Sequence, residues 1–131
     1  MTAPLMISIV DDDVCAREGI NDLVTSMGYR TATFASAEEF LEHASIRDTA
    51  CVIADLQMPG LSGLDLQDRL VNQGCRVSFI LVTAFPDDQY RARALAAGAA
   101  GFLTKPFDDQ SLLRCLTAAV GTDPVASVTT P

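Results

Sequence analysis

The sequence predicts one α/β domain: a doubly wound, five-stranded parallel sheet with helices on both faces. Three observations carry that reading. Four short runs are nearly all apolar, as strands covered on both faces are. Segments with apolar residues at helical spacing lie between them. The two patterns alternate five times, which is the order of a βα-repeat fold, and right-handed crossovers leave few topologies open.

The elements follow in order. Leu5 to Val10 is the first apolar run and stops at Asp11-Asp12-Asp13. Val14 to Met27 carries Ile20, Leu23, Val24 and Met27 on one helical stripe, with Gly28 as its stop. Arg30 to Phe34 is shorter of apolar residues and reads as an edge strand. Ser36-Ala37-Glu38-Glu39 has the form of a capping box opening a helix to about Ala44. Cys51 to Ala54 is the third strand, ending at Asp55. Gly63 to Gln73 is a helix with Leu64, Leu66, Leu70 and Val71 apolar, closed by Gly74. Val77 to Val82 ends at Thr83, and an Ala-rich helix from Asp87 to Ala97 ends at Gly98. Gly101 to Thr104 ends at Lys105-Pro106. Asp108 then caps a last helix whose buried stripe is Leu112, Leu113, Leu116 and Val120. Residues 1–120 form the domain, and 121–131, without periodicity, read as a flexible tail or linker stub.

Composition narrows the function. The chain has 131 residues, 17 acidic against nine basic, for a net charge of −8. A nucleic-acid binder needs clustered cations, and no basic stripe exists, so direct nucleic-acid binding by this chain is not expected. Cysteines at 15, 51, 75 and 115 lack zinc-site spacing and read as buried or half-buried free thiols, which suits a reducing, cytoplasmic setting. No apolar run is long enough to span a membrane. His43, the only histidine, reads as solvated.

The polar residues that end the strands carry the chemistry. Open α/β sheets bind ligands at the carboxyl ends of their strands. Those ends hold Asp11-Asp12, Asp55, Thr83 and Lys105, the only lysine beside eight arginines. Three converging carboxylates repel one another, and a hard divalent cation such as Mg²⁺ relieves that repulsion. A metal, an ammonium and a hydroxyl around a carboxylate nucleophile are the parts that phosphoryl transfer requires. Any one of these residues alone could be a helix cap or a turn former. Asp13 and the remaining acidic pairs are read that way.

At these residues the sequence resembles the response-regulator receiver domain of two-component signalling. The matching pieces are Ile9-Val10-Asp11-Asp12, Asp55-Leu56-Gln57-Met58-Pro59 with Gly63, Val82-Thr83-Ala84, and Lys105-Pro106-Phe107. The stretch from Met58 to Leu66 is similar to the subgroup regulating nitrogen fixation and related transcription, of LuxR type. The resemblance implies a flavodoxin-like (βα)5 sheet in the order 2-1-3-4-5. It implies Asp55 as phosphoacceptor from a sensor histidine kinase or phosphotransfer protein. Mg²⁺ would be held by Asp11, Asp12, Asp55 and the backbone carbonyl of Gln57. Lys105 would pair with the phosphoryl oxygens, Thr83 and Phe102 would switch, and the Lys105–Pro106 bond would be cis. Gln57 and Phe85, at the positions that modulate attack by water, would tune phosphoryl lifetime. Output, or homodimerisation, would use the face formed by the fourth helix, fifth strand and fifth helix, with Tyr90, Arg91, Arg93 and Arg114.

Three other functions compete. A phosphatase of the haloacid dehalogenase type needs an acid two residues after its nucleophile, where this chain has Gln57. A flavin- or nucleotide-binding module needs a phosphate-cradling loop after the first strand, where Asp11 to Asp13 would repel a phosphate. A degenerate receiver that only binds partners is disfavoured by the complete residue set. The chain is therefore expected to be a signalling switch that catalyses its own phosphorylation and dephosphorylation, rather than an enzyme with a separate substrate.

Overall fold

In a computed structural model, residues 5–43, 48–75 and 77–120 are described, His43 by its backbone alone. The expected order is observed: β1 (Met6–Val10), α1 (Val14–Ser26), β2 (Arg30–Phe34), α2 (Ala37–His43), β3 (Thr49–Asp55), α3 (Gly63–Asn72), β4 (Ser78–Thr83), α4 (Asp88–Ala96), β5 (Gly101–Thr104) and α5 (Asp109–Val120). The sheet runs β2-β1-β3-β4-β5 with every pair parallel. The expected tail at 121–131, the end of α2 at Ala44 and the exposure of the His43 side chain lie outside the described residues.

Side-chain alternation along the strands explains why both faces are covered. Ile7 and Ile9, Cys51 and Ile53, and Ile80 and Val82 point to one face, where they pack with Ile20 and Val24 of α1 and Leu112 and Leu116 of α5. Val10, Val52, Ala54, Phe79 and Leu81 point to the other and pack with Phe40 of α2, Leu66 and Leu70 of α3 and Ala94 of α4. β2 is the more exposed edge, as its composition predicts. At the opposite edge β5 is only four residues long.

Local chemistry sets the helix ends. Asp13 caps α1 by accepting from the Cys15 N–H at 3.0 Å, Asp87 caps α4, and Asp108 accepts from the Ser111 N–H at 2.7 Å at the start of α5. Gly28, Gly74 and Gly98 follow their helices at φ of +98°, +78° and +98°, a region that costs a side chain but not glycine.

Four expectations need correction. Ser36 accepts from the Glu39 N–H, but it is Glu38 that finds a backbone donor, and that donor is Leu61 N–H, 23 residues away. The two-way capping box instead lies at Ser62 and Asp65, opening α3. Val71 and Leu113 are exposed rather than part of the buried stripes. Each helix already fills its contact with the sheet from neighbouring positions: Leu66 and Leu70, Leu112 and Leu116. Cys15, expected to be at least half buried, is exposed in the first turn of α1, while Cys51 is buried and Cys75 and Cys115 are intermediate.

Candidate functional site

Four parallel strands end on one rim of the sheet, and their last residues meet there. Asp11 follows β1, Asp55 closes β3, Thr83 closes β4, and Lys105 follows β5. The register makes this a consequence of strand pairing. Val10 pairs with Ala54, Asp55 with Val82, and Thr83 with Thr104.

The loop after β3 is drawn tightly against the sheet. Leu56 N–H donates to the Val82 carbonyl at 2.7 Å, and Gly63 N–H returns to the Leu56 carbonyl at 3.1 Å. Gly63 sits so close that a Cβ there would lie 2.5 Å from the Asp55 carbonyl oxygen. Gly60, at φ +76°, turns the chain beside the Glu38 carboxylate.

The acidic cluster consists of Asp11, Asp12 and Asp55, whose nearest carboxylate oxygens all lie within 4.8 Å of one another. Asp11 is 1% exposed and Asp55 9%, whereas Asp12 is open to solvent. Every polar group of Asp11 has a partner: its N–H donates to the Phe34 carbonyl, its carbonyl accepts from Arg17, Oδ1 accepts from Asp13 N–H, and Oδ2 from Lys105. Lys105 Nζ lies 3.0 Å from Asp11 Oδ2 and 3.8 Å from Asp55 Oδ2. Burial, and then repulsion from Asp11, push the Asp55 carboxyl up to about 6; Lys105 and the Gln57 N–H, 3.4 Å from Oδ1, oppose the rise. Such a group gains from a divalent cation, and three hard carboxylate oxygens with one ligand open to water suit Mg²⁺. The donor set therefore fits the metal.

The remaining expected residues have the following settings. Gln57 is exposed on the loop after Asp55. Thr83 is buried, and its hydroxyl accepts from Phe85 N–H at 3.0 Å and donates to the Phe85 carbonyl at 3.3 Å. Phe85 itself is 70% exposed. Phe102 is half buried against the cluster that contains Leu81 and Ala94. The Lys105–Pro106 bond is cis, and Lys105 N–H donates to the Thr83 carbonyl at 2.7 Å. Tyr90, Arg91, Arg93 and Arg114 are exposed on α4 and α5.

Arg17 is a residue that sequence reasoning missed. Its Nη1 donates to the Asp11 carbonyl at 2.7 Å. The signal was available: Arg17 stands four residues after the Asp13 cap, and helical side chains lean toward the N-terminus, here toward the end of β1.

Comparison with known proteins agrees with this geometry. The family described as "Response regulator receiver domain" matches residues 7–117. The chain is 36% identical over 118 residues to nodulation protein W of Bradyrhizobium diazoefficiens, covering 90% of this chain and 52% of that protein. It is 35% identical over 121 residues to the transcriptional regulatory protein FixJ of Azorhizobium caulinodans, covering 92% and 57%. The chain thus spans about half the length of these relatives. Among solved structures, the response regulator StyR superposes with a TM-score of 0.84 at 36% identity, covering 92% of this chain and 61% of that one. The match over most of the chain, on a sheet whose rim gathers Asp11, Asp12, Asp55, Thr83 and Lys105, identifies the chain as a member of the response-regulator receiver domain family, similar to regulators of the FixJ type.

Proposed function

We propose that this domain accepts a phosphoryl group on Asp55 from a sensor histidine kinase or phosphotransfer protein and uses it to reset the face made by α4, β5 and α5. The observation that carries the proposal is the placement of Asp55: a nearly buried carboxylate with Lys105 Nζ at 3.8 Å, beside the carboxylates of Asp11 and Asp12. A carboxylate oxygen of Asp55 forms the new P–O bond as the P–N bond of phosphohistidine breaks, with the ring nitrogen keeping the electron pair. Asp11, Asp12, Asp55 and the Gln57 carbonyl would hold Mg²⁺, which when bound offsets negative charge on the transferring oxygens.

The chain's own residues do the rest. Lys105 supplies a compact positive charge at the same oxygens. Thr83 leaves its bonds to Phe85 for the phosphoryl group, and Phe102 follows by turning inward. The domain then loses the phosphoryl group to water, with Gln57 and Phe85 beside the path of attack. The relatives' names support transcription regulation as the output, reached through a partner or through homodimerisation at Tyr90, Arg91, Arg93 and Arg114. Among the described residues no helix is long and apolar enough to cross a membrane, in keeping with a cytoplasmic site of action. We further take residues 1–120 as the receiver unit and 121–131 as a tail or linker. Labelling by acetyl phosphate in the presence of Mg²⁺ tests the reading: it should be lost in Asp55→Asn and on chelation, and labelling that survives Asp55→Asn overturns it.

A further inference from the structure

We infer that Arg17 is a positioning residue for the divalent cation, acting through the backbone of Asp11. The inference rests on the acidic cluster being the Mg²⁺ site. Arg17 lies in α1, half buried, and its guanidinium donates to the Asp11 carbonyl at 2.7 Å. Its own N–H closes the first turn of α1 onto the Asp13 carbonyl at 2.9 Å. The short segment from Asp11 to Asp13 is thereby held at both ends. Phe34 and Arg17 fix the Asp11 backbone, and Asp13 caps the helix that carries Arg17. Between these anchors stands Asp12, whose exposed carboxylate has no hydrogen bond or ion pair of its own among the described residues to orient it. Where the Asp12 side chain sits is therefore decided by the backbone that Arg17 clamps.

Charge and position make opposite predictions for this residue. A guanidinium near three carboxylates repels a cation, so if Arg17 acted only through its charge, removing it would tighten Mg²⁺ binding. If it acts by orienting the ligands, removing it weakens binding, as loss of a partner behind a metal ligand does, by about tenfold. The fork of Arg suits a carbonyl that must be held in one direction; a lysine keeps the charge without that geometry.

The test is calorimetric titration of the full chain with MgCl₂ for the wild type, Arg17→Met and Arg17→Lys, with urea unfolding of each in chelator. The expected result is a Kd raised by about tenfold in Arg17→Met and by a smaller factor in Arg17→Lys. Affinity equal to or tighter than wild type in either variant overturns the inference, including when stability alone has fallen. Should Arg17→Met not fold, Arg17→Lys decides by the same criterion. A wild-type protein that takes up no Mg²⁺ removes the acidic-site reading, and this inference with it, whereas normal wild-type uptake with unaltered variants removes only the role of Arg17.

Discussion

Lys105 is hydrogen-bonded to Asp11 and ion-paired at longer range with Asp55. Its Nζ stands 3.0 Å from the first carboxylate and 3.8 Å from the second. The ammonium therefore lies closest to the buried acid proposed as a metal ligand, and a short movement from the one proposed to accept the phosphoryl group. Lys105→Arg keeps the charge but replaces a point donor with a wider planar fork. Labelling by acetyl phosphate is expected to fall only a few-fold, while the change in α4 on phosphorylation, read by amide exchange, is largely lost. Equal loss of both would count against a switching role.

The Asp55 carboxyl gives a pH dependence whose sign is fixed. Folding moves it from 3.8 up to about 6, so between those values the folded state holds more protons than the unfolded chain. Its contribution to stability is therefore greatest at low pH and declines as pH rises through about 6. Asp55→Asn has no such charge. Without metal at pH 7.5 it should be more stable than wild type by about 1–2 kcal/mol, with the gap roughly halved near pH 5, closing below about pH 4, and narrowing when Mg²⁺ is added. Urea unfolding of both proteins in chelator checks this; a gap independent of pH would disprove it.

Phe85 stands two residues after Thr83 and is 70% exposed, so burial in the core does not account for a large ring on this loop. Phe85→Ala is expected to shorten the lifetime of the phosphorylated domain severalfold, because water gains access to the phosphoryl group. Decay of radiolabel at fixed Mg²⁺ measures it, and an unchanged half-life would exclude shielding.

Gln67 ties α3 to α4. Its Nε2 donates to the Ala94 carbonyl at 3.2 Å, while its Oε1 is buried without a partner among the described residues. Ala94 is the one fully buried residue of α4. Gln67→Met removes the bond and the orphaned oxygen together, so overall stability should move by less than about 1 kcal/mol. Amide exchange in α4 should nevertheless speed by about tenfold, the factor that loss of about 1.4 kcal/mol of local stability gives. Exchange in α4 that matches wild type would show that Gln67 does not hold the helix.

Much of this was readable from residue order. Strands covered on both faces are written as mostly apolar runs, and those of β1, β3, β4 and β5 end at or beside the polar residue that reaches the rim: Asp11, Asp55, Thr83, Lys105. What could not be read depended on partners distant in sequence. β3 begins at polar Thr49, two residues before its apolar run, because the hydroxyl of Thr49 meets that of Ser8 on β1 at 3.0 Å. Glu38, which had no expected part in the cap of α2, accepts from Leu61 N–H across 23 residues. Val71 and Leu113 have the right residue type for a buried stripe, but the sheet is filled by their neighbours. Which of several apolar residues is buried depends on the opposing surface, and periodicity does not contain that surface.

The small ring between Thr83 and Phe85 has a bearing on signal quality. Two hydrogen bonds hold the hydroxyl onto the backbone two residues ahead. At about 1 kcal/mol each, they would bias the domain against the proposed rearrangement of Thr83 by roughly thirtyfold. In the proposed switch, the loop that the phosphoryl group would recruit is thus also the element that would keep the pathway quiet in its absence. Background output and sensitivity are set by the same two bonds, so a threonine variant that responds more readily should also misfire more often.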